Sequence, residues 1–131
     1  MSLANLLKPN DYQVYINAPF TASNFYSPIA TSTLTPVQLN DGILVVATSG
    51  VTLTLPSIAV LQAYFGTTYG NQISFKIINT GASSTVAFNV STMTNAQVIP
   101  APSSGVITLA ASSSYTFTII NTGQNLFTLT N

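Results

Sequence analysis

Only four of the 131 side chains carry a formal charge, and this deficit constrains the chain more than any motif in it. The four are Lys8, Asp11, Asp41 and Lys76. Since about a quarter of the residues in an ordinary soluble domain are charged, the surface here must be built from neutral groups, which 15 Ser, 19 Thr, 12 Asn and 6 Gln can supply. A neutral surface with a net charge near zero promotes association. The composition therefore favours a protein whose surface mostly contacts other protein, with a marginally soluble monomer as the alternative.

The same composition excludes several classes of partner. Two lysines cannot neutralise a row of phosphates or form a basic membrane-surface helix, so we expect neither nucleic-acid binding nor membrane insertion. The longest unbroken apolar run, Ile43–Ala47, is far shorter than a segment that spans a bilayer. The N-terminal residues lack the basic and apolar regions of a signal peptide, so no secretion signal is expected. Without cysteine, the chain has neither a disulfide framework nor thiolate chemistry.

The pattern of apolar residues predicts a β-rich fold. Apolar residues alternate with polar ones, or run together, in about eight short segments separated by turn residues. Their approximate ranges are 43–48, 51–55, 73–77, 86–90, 96–99, 107–109, 115–119 and 127–129. Ser57–Phe65 is predicted to be a short helix with Gly66 as its stop, and Thr35 begins a helical turn that Gly42 ends. The predicted fold class is all-β, a single-domain antiparallel β-sandwich, jelly-roll-like, with one short helix.

The chain divides by pattern into residues 1–34, an N-terminal arm, and residues 35–131, the β-sandwich domain. Tyr12–Ile16 in the arm has the pattern of a strand. Five aromatic residues cluster in the arm: Tyr12, Tyr15, Phe20, Phe25 and Tyr26. These rings either pack on the chain's own core or anchor a neighbouring molecule, because aromatic side chains contribute much of the energy of protein interfaces. The arm is therefore a possible docking segment.

One motif occurs twice, since Phe75–Gly81 and Phe117–Gly123 both end in Ile-Ile-Asn-Thr-Gly. Aspartic proteases use a related hydrophobic-Asp-Thr-Gly motif twice, because two carboxyl groups must share one proton. Here the two positions are Asn79 and Asn121, and an amide cannot act as that base. The motif is therefore predicted to form two ordinary turns after strands, where Asn and Gly tolerate left-handed backbone angles.

Other constellations for catalysis or metal binding are also incomplete. No histidine is present to activate a serine, and a Ser–Lys pair would need Lys8 or Lys76, which are expected to be solvated. Asp11 and Asp41 could share a hard cation with backbone oxygens, but neither belongs to a cation-binding loop motif. We therefore predict no enzymatic activity, no cofactor, and no catalytic, cofactor-binding or metal-binding residue.

The segment Thr35–Gly81 contains a short turn ending in Gly, then Val-Thr-Leu-Thr-Leu-Pro, a short helix and a strand ending in Ile-Ile-Asn-Thr-Gly. Together with the second copy of that motif, it resembles small β-sandwich virion surface proteins of tailed phages and large DNA viruses. Those proteins serve as capsid decoration proteins, minor capsid proteins and fibre or spike modules.

The resemblance implies a non-enzymatic structural virion protein that decorates or cements a viral capsid as a homo-oligomer, a trimer in many such proteins. Its implied partners are copies of itself and the major capsid protein or another shell protein, and its implied location is the capsid surface of the virion. A receptor- or glycan-binding module at the tip of a fibre or spike is the alternative.

Overall fold

The computed structural model describes residues 24–27, 29–66, 68–83, 85–93, 98–99, 102, 104–123 and 126–131. These residues form ten strands and two helices: β1 (Asn24–Tyr26), β2 (Ser32–Thr33), α1 (Pro36–Leu39), β3 (Gly42–Val46), β4 (Thr52–Thr54), α2 (Ile58–Phe65), β5 (Gln72–Asn79), β6 (Val86–Asn89), β7 (Val98–Ile99), β8 (Val106–Leu109), β9 (Ser113–Gly123) and β10 (Leu126–Thr130). The strand predicted at Tyr12–Ile16, the side chains of Lys8 and Asp11, and the rings of Tyr12, Tyr15 and Phe20 lie outside the described residues.

The strands form two sheets, which confirms the mainly-β prediction. Sheet A has six strands in the order β1-β3-β5-β9-β10-β7, and sheet B has four in the order β2-β4-β6-β8. The described residues contain more elements than expected, with ten strands instead of about eight and two helices instead of one. The two additional strands, β1 and β2, have only three and two residues and so show no periodicity in the sequence.

The expectation of antiparallel sheets is wrong, because five of the eight pairings among the described strands are parallel. The parallel pairs are β1–β3, β3–β5, β2–β4, β4–β6 and β7–β10. From β1 to β9, consecutive strands lie alternately in sheet A and sheet B. From β1 to β6, each strand is therefore parallel to its neighbour in the same sheet, which is the second strand before or after it in the chain. We call this β1–β6 segment the parallel coil, because its backbone winds from one sheet to the other in one direction, as in a β-solenoid. The antiparallel pairs β5–β9, β9–β10 and β6–β8 follow this coil.

Part of the range that the sequence assigns to the arm belongs to the two sheets. Strand β1 pairs with β3 in sheet A, and β2 pairs with β4 in sheet B. Two residues near these strands, Ile29 and Leu34, are buried. In the part of the chain that the structure describes, the first sheet residue is Asn24. It lies eleven positions before residue 35, the predicted start of the domain.

The core lies between the sheets and consists of the alternate, inward-facing residues of the strands. On β5, Ile73, Phe75 and Ile77 are buried while Ser74 and Lys76 are exposed, as the alternation predicts. Three phenylalanines join the two sheets, and we call them the phenylalanine cluster: Phe75, Phe88 and Phe117. The ring centroid of Phe88 in sheet B lies 6.0 Å from that of Phe75 and 5.0 Å from that of Phe117, both in sheet A.

Helix α1 begins with the capping signal that the sequence predicts. Thr35 accepts a hydrogen bond on its Oγ1 from the backbone N–H of Gln38 at 3.2 Å, and the Gln38 Oε1 accepts one from the Thr35 N–H at 3.0 Å. This reciprocal pair is a capping box, and Pro36 occupies the first helical position. Leu39 is thereby held in the core with no exposed surface.

Removing the Thr35 hydroxyl tests this cap. We expect Thr35→Ala to lower the free energy of unfolding by about 1 kcal/mol, because one helical N–H loses its acceptor. For a domain of this size the melting temperature falls by about 3–6 °C. Thermal unfolding followed by circular dichroism measures the shift, and Ser83→Ala in an exposed turn is the control. Equal shifts for the two variants would show that the cap contributes nothing specific.

The end of α1 differs from the prediction. Asn40 is the C-cap, and the left-handed conformation falls on Asp41, with φ 57°, instead of on Gly42. Gly42 is the first residue of β3 and is buried, and a Cβ atom there would collide with the carbonyl oxygen of Gln38. The glycine is therefore needed for the close approach of two backbone segments. Aspartate can take the left-handed position because it tolerates that conformation better than most residues do.

Helix α2 agrees with the prediction at both ends. Ser57 caps it by accepting a hydrogen bond from the Val60 N–H at 3.3 Å, and Gly66 ends it with φ 71°. Leu61 and Phe65 are buried, and the centroid of the Phe65 ring lies 5.3 Å from the centroid of the Phe127 ring on β10.

Candidate functional site

The first copy of the repeated motif holds a turn in place. Asn79, at the end of β5, is buried, and its Nδ2 donates to the carbonyl oxygens of Leu109 at 3.2 Å and Ala110 at 3.0 Å. Its Oδ1 accepts a hydrogen bond from the Gly81 N–H at 3.0 Å. The side chain thus fixes both its own turn and the connection between β8 and β9. The bond from the Gly81 N–H agrees with the turn predicted after β5, although neither Asn79 nor Gly81 takes a left-handed backbone angle.

The second copy holds the segment that follows α2. Asn121 is 2% exposed, and its Nδ2 donates to the carbonyl oxygens of Gly66 at 3.4 Å and Thr68 at 3.2 Å. Its backbone adds two bonds, accepting from the Gly70 N–H at 2.7 Å and donating to the Asn71 carbonyl at 2.8 Å. Among the described residues, its Oδ1 has no hydrogen-bond partner. Contrary to the prediction of a turn after a strand, Asn121 lies within β9, which extends to Gly123.

The two asparagines are not close enough to act together. Asn79 lies opposite Ser113 at one end of the β5–β9 pair, whereas Asn121 comes after Ile120, which lies opposite Gln72 at the other end. Eight residues of strand separate these ends, which corresponds to about 25 Å. The geometry of a shared-proton dyad is therefore absent, independently of the amide chemistry.

The two charged residues within the described part of the chain meet at one groove. It has a volume of about 200 Å³ and is lined by residues including Asp41, Ile43, Ser74, Lys76 and Thr116. It lies on the outer face of sheet A, where Ile43, Lys76 and Thr116 are opposite one another on β3, β5 and β9. The groove is shallow and lined by both polar and apolar groups, and its charged and hydroxyl side chains can offer hydrogen bonds to a ligand. The sequence did not indicate it, because its residues come from three segments, 41–43, 74–76 and 116, which are more than 30 positions apart in the chain.

Phe25 extends the same row toward the edge of sheet A. It lies opposite Ile43 on the neighbouring strand and is 64% exposed. Neighbouring residues on the same face of a sheet are within reach of each other. An exposed ring beside hydroxyl and charged groups is a combination that can stack on a sugar ring and hydrogen-bond its hydroxyls.

Apart from Lys76, the outer face of sheet A is uncharged in the described strands. One row across it consists of Ser74, Thr118 and Thr130, and the first two hydroxyls are 2.9 Å apart. A second row carries the half-buried side chains of Val45 and Ile78. The face therefore combines hydroxyl groups with β-branched apolar groups, and Lys76 is its one charged side chain in the described strands.

The outer face of sheet B is similar. Its described strands carry no charged side chain, and one row across it consists of Thr52, Ala87 and Thr108. The next row contains Thr54 and Asn89. Two wide faces of the molecule are thus nearly free of ions, as the composition predicted.

Exposed apolar side chains also occur on the two helices. Val37 on α1 is 60% exposed, and Val60 and Tyr64 on α2 are exposed as well. The helices contact each other, since the Tyr64 hydroxyl accepts a hydrogen bond from the Nδ2 of Asn40 at 3.0 Å.

The described residues provide no metal centre, since no three His, Cys, Asp or Glu residues lie close together in them. In the same part of the chain, neither helix has the length and apolar character needed to cross a bilayer. Comparisons with protein-family models, curated proteins and solved structures found no match to this chain.

Proposed function

We propose that the chain is a non-enzymatic structural protein of a virion, which decorates or cements the capsid surface as a homo-oligomer, a trimer. The observation that carries the proposal is the pair of outer sheet faces, which hold one charged side chain, Lys76, in their described strands. The class of virion protein follows from the sequence resemblance. The two sheets packed around one apolar core support a β-sandwich architecture for such a subunit, although with mixed and not antiparallel sheets.

Burial of surface is the proposed mechanism of assembly. At about 25 cal/mol per Å², a shared apolar area of about 1,000 Å² contributes on the order of 25 kcal/mol before the costs of association are subtracted. Hydroxyl and amide groups on the faces can form hydrogen bonds across an interface at a smaller desolvation cost than charged groups. A neutral face therefore suits a permanent contact between subunits.

Purified virus particles test this proposal directly. We expect the chain to co-sediment with intact capsids and to appear on their outer surface, at symmetry positions, in a cryo-electron microscopy reconstruction. As a control, recombinant protein added to capsids that lack it should restore the same density. Recovery of the chain only from the particle-free fraction of infected cells would contradict the proposal.

A second candidate function is favoured by the groove on sheet A. The groove between Asp41, Lys76 and Thr116, with exposed Phe25 in the same row, supports a glycan-binding module at the tip of a fibre or spike. A glycan array distinguishes the two functions, with Phe25→Ala as the matched variant. Binding of a defined glycan that this substitution abolishes would favour the tip module, and an array without hits would exclude it.

A further inference from the structure

Both charged side chains of the described residues line the groove on sheet A without pairing with each other. Asp41 lies beside Ser74, because its backbone N–H donates to the Ser74 carbonyl oxygen at 3.0 Å, and Lys76 is two residues further along β5. This register places the Cα atoms of Asp41 and Lys76 about 8 Å apart. No ion pair joins these two described side chains. Both are exposed, so each is available to a ligand in the groove.

The backbone fixes the position of Asp41. The residue has φ 57°, and its carbonyl oxygen accepts a hydrogen bond from the Asn24 N–H at 3.2 Å. Glycine or asparagine takes this left-handed conformation at least as easily as aspartate, so the backbone alone does not require a carboxylate here. A carboxylate at this place can accept hydrogen bonds from the hydroxyl groups of a ligand.

Lys76 supplies the opposite charge from the neighbouring strand. It stands in one row with Ile43 on one side and Thr116 on the other, and neither neighbour carries a charge that competes for its ammonium group. That group can donate charge-assisted hydrogen bonds to the carboxylate of a ligand. Half-buried Ile43 offers an apolar contact between the two charges, and exposed Phe25 is next in the row.

We propose that the groove binds an acidic sugar, a pyranose that carries a carboxylate group, and this inference rests on the glycan-binding function proposed above. The sugar carboxylate accepts hydrogen bonds from the Nζ of Lys76, and ring hydroxyl groups donate to the carboxylate of Asp41. One pyranose ring with its substituents spans the gap between the two side chains, with its carbon atoms over Ile43. A neutral sugar fits the same space but leaves Lys76 without an anionic partner.

A matched pair of ligands tests this inference. Methyl β-D-glucuronide and methyl β-D-glucoside differ only in carrying a carboxylate or a hydroxymethyl group on the ring. Binding to the full-length chain is followed by NMR of the Ile43 methyl groups, whose signal is assigned with Ile43→Val. We expect both sugars to shift this signal, with the glucuronide binding about threefold to fivefold more tightly, as befits an exposed ion pair. In about 0.5 M NaCl this advantage should fall below about twofold.

Two substitutions in the groove separate the roles of the charges. Lys76→Gln should remove the advantage of the glucuronide and leave binding of the glucoside unchanged. Asp41→Asn keeps the left-handed conformation and should weaken both sugars, because an amide oxygen accepts fewer hydrogen bonds than a carboxylate. Thr108→Ala, on the outer face of sheet B, is the control and should change neither affinity.

The outcomes distinguish this inference from the function on which it rests. Equal affinities of the parent chain for the two sugars would overturn the acidic-sugar assignment and leave a glycan-binding module intact. An advantage of the glucuronide that survives Lys76→Gln would also overturn it, because the carboxylate would then bind elsewhere. If neither sugar shifts the Ile43 signal, the inference fails, whereas the glycan array decides separately whether the chain binds glycans at all.

Discussion

Replacing Phe88 with alanine is expected to lower the free energy of unfolding by about 3–5 kcal/mol, because the change leaves a cavity between the two sheets. Phe88 has no exposed surface, and its ring contacts those of Phe75 and Phe117 in the opposite sheet. The loss includes the transfer free energy of the ring, the cavity it leaves and the edge-to-face contacts between rings. At this chain length the melting temperature should fall by about 10–20 °C.

Urea unfolding measures this loss, and the position of a second phenylalanine provides the control. Phe25→Ala removes the same ring from a side chain that is 64% exposed and should change stability by less than about 1 kcal/mol. The slope of the unfolding free energy against urea concentration should be the same in both variants, because both expose the same surface when they unfold. Comparable losses for the two variants would show that the phenylalanine cluster does not join the sheets.

Asn121→Asp is the second substitution with a large expected effect, about 3–5 kcal/mol of destabilisation near neutral pH. The amide nitrogen that donates to the carbonyl oxygens of Gly66 and Thr68 becomes a carboxylate oxygen, which cannot donate. A negative charge is then buried against two carbonyl dipoles, while its other oxygen has no donor among the described residues. The change in side-chain volume is negligible, so the loss reports hydrogen bonding and charge alone.

The pH dependence of this variant has a defined sign. Burial raises the pKa of the introduced carboxyl group in the folded state above its value in the unfolded chain. The folded state therefore binds a proton more tightly. The destabilisation should be large at pH 7, shrink as the pH falls through the raised folded-state pKa toward the unfolded value of about 4, and change no further below that. The parent chain has only two carboxylate side chains, so its own stability should change little over the same interval.

Asn89→Asp is the matched control for this experiment. Asn89 uses its Oδ1 to accept a hydrogen bond from the Ser91 N–H at 3.0 Å, and a carboxylate can keep that role. Its expected loss is below about 1 kcal/mol at any pH. Chemical unfolding between pH 3 and pH 7 would contradict the assigned role of Asn121 if both variants lost the same small amount.

Alternating apolar residues were sufficient to predict the inward face of the long strands, such as Ile73, Phe75 and Ile77 on β5. They could not predict strand direction, because a period of two specifies which face is buried and not which neighbour a strand has. The parallel coil became visible only when the pairing was known. Strands as short as β2, with residues Ser32 and Thr33, carry no period at all.

The candidate sites differ in how far the sequence revealed them. The neutral faces follow from composition, since four charges cannot cover the surface of 131 residues. The groove depends on pairing across strands, which brings Asp41 beside residues of β5 and β9 that are distant in the chain. The repeated motif predicted turns at Asn79 and Asn121. It could not predict which distant carbonyl groups accept hydrogen bonds from each side-chain amide.

The oligomeric state in solution tests the central claim most directly, that the neutral surface of this protein serves association. Sedimentation velocity at about 10 µM protein should show an oligomer whose mass is a multiple of 13.7 kDa. Its mass should be the same from about 0.05 M to about 1 M NaCl, because the described faces contain almost no ions to screen. A 13.7 kDa monomer at every concentration and salt would contradict the account.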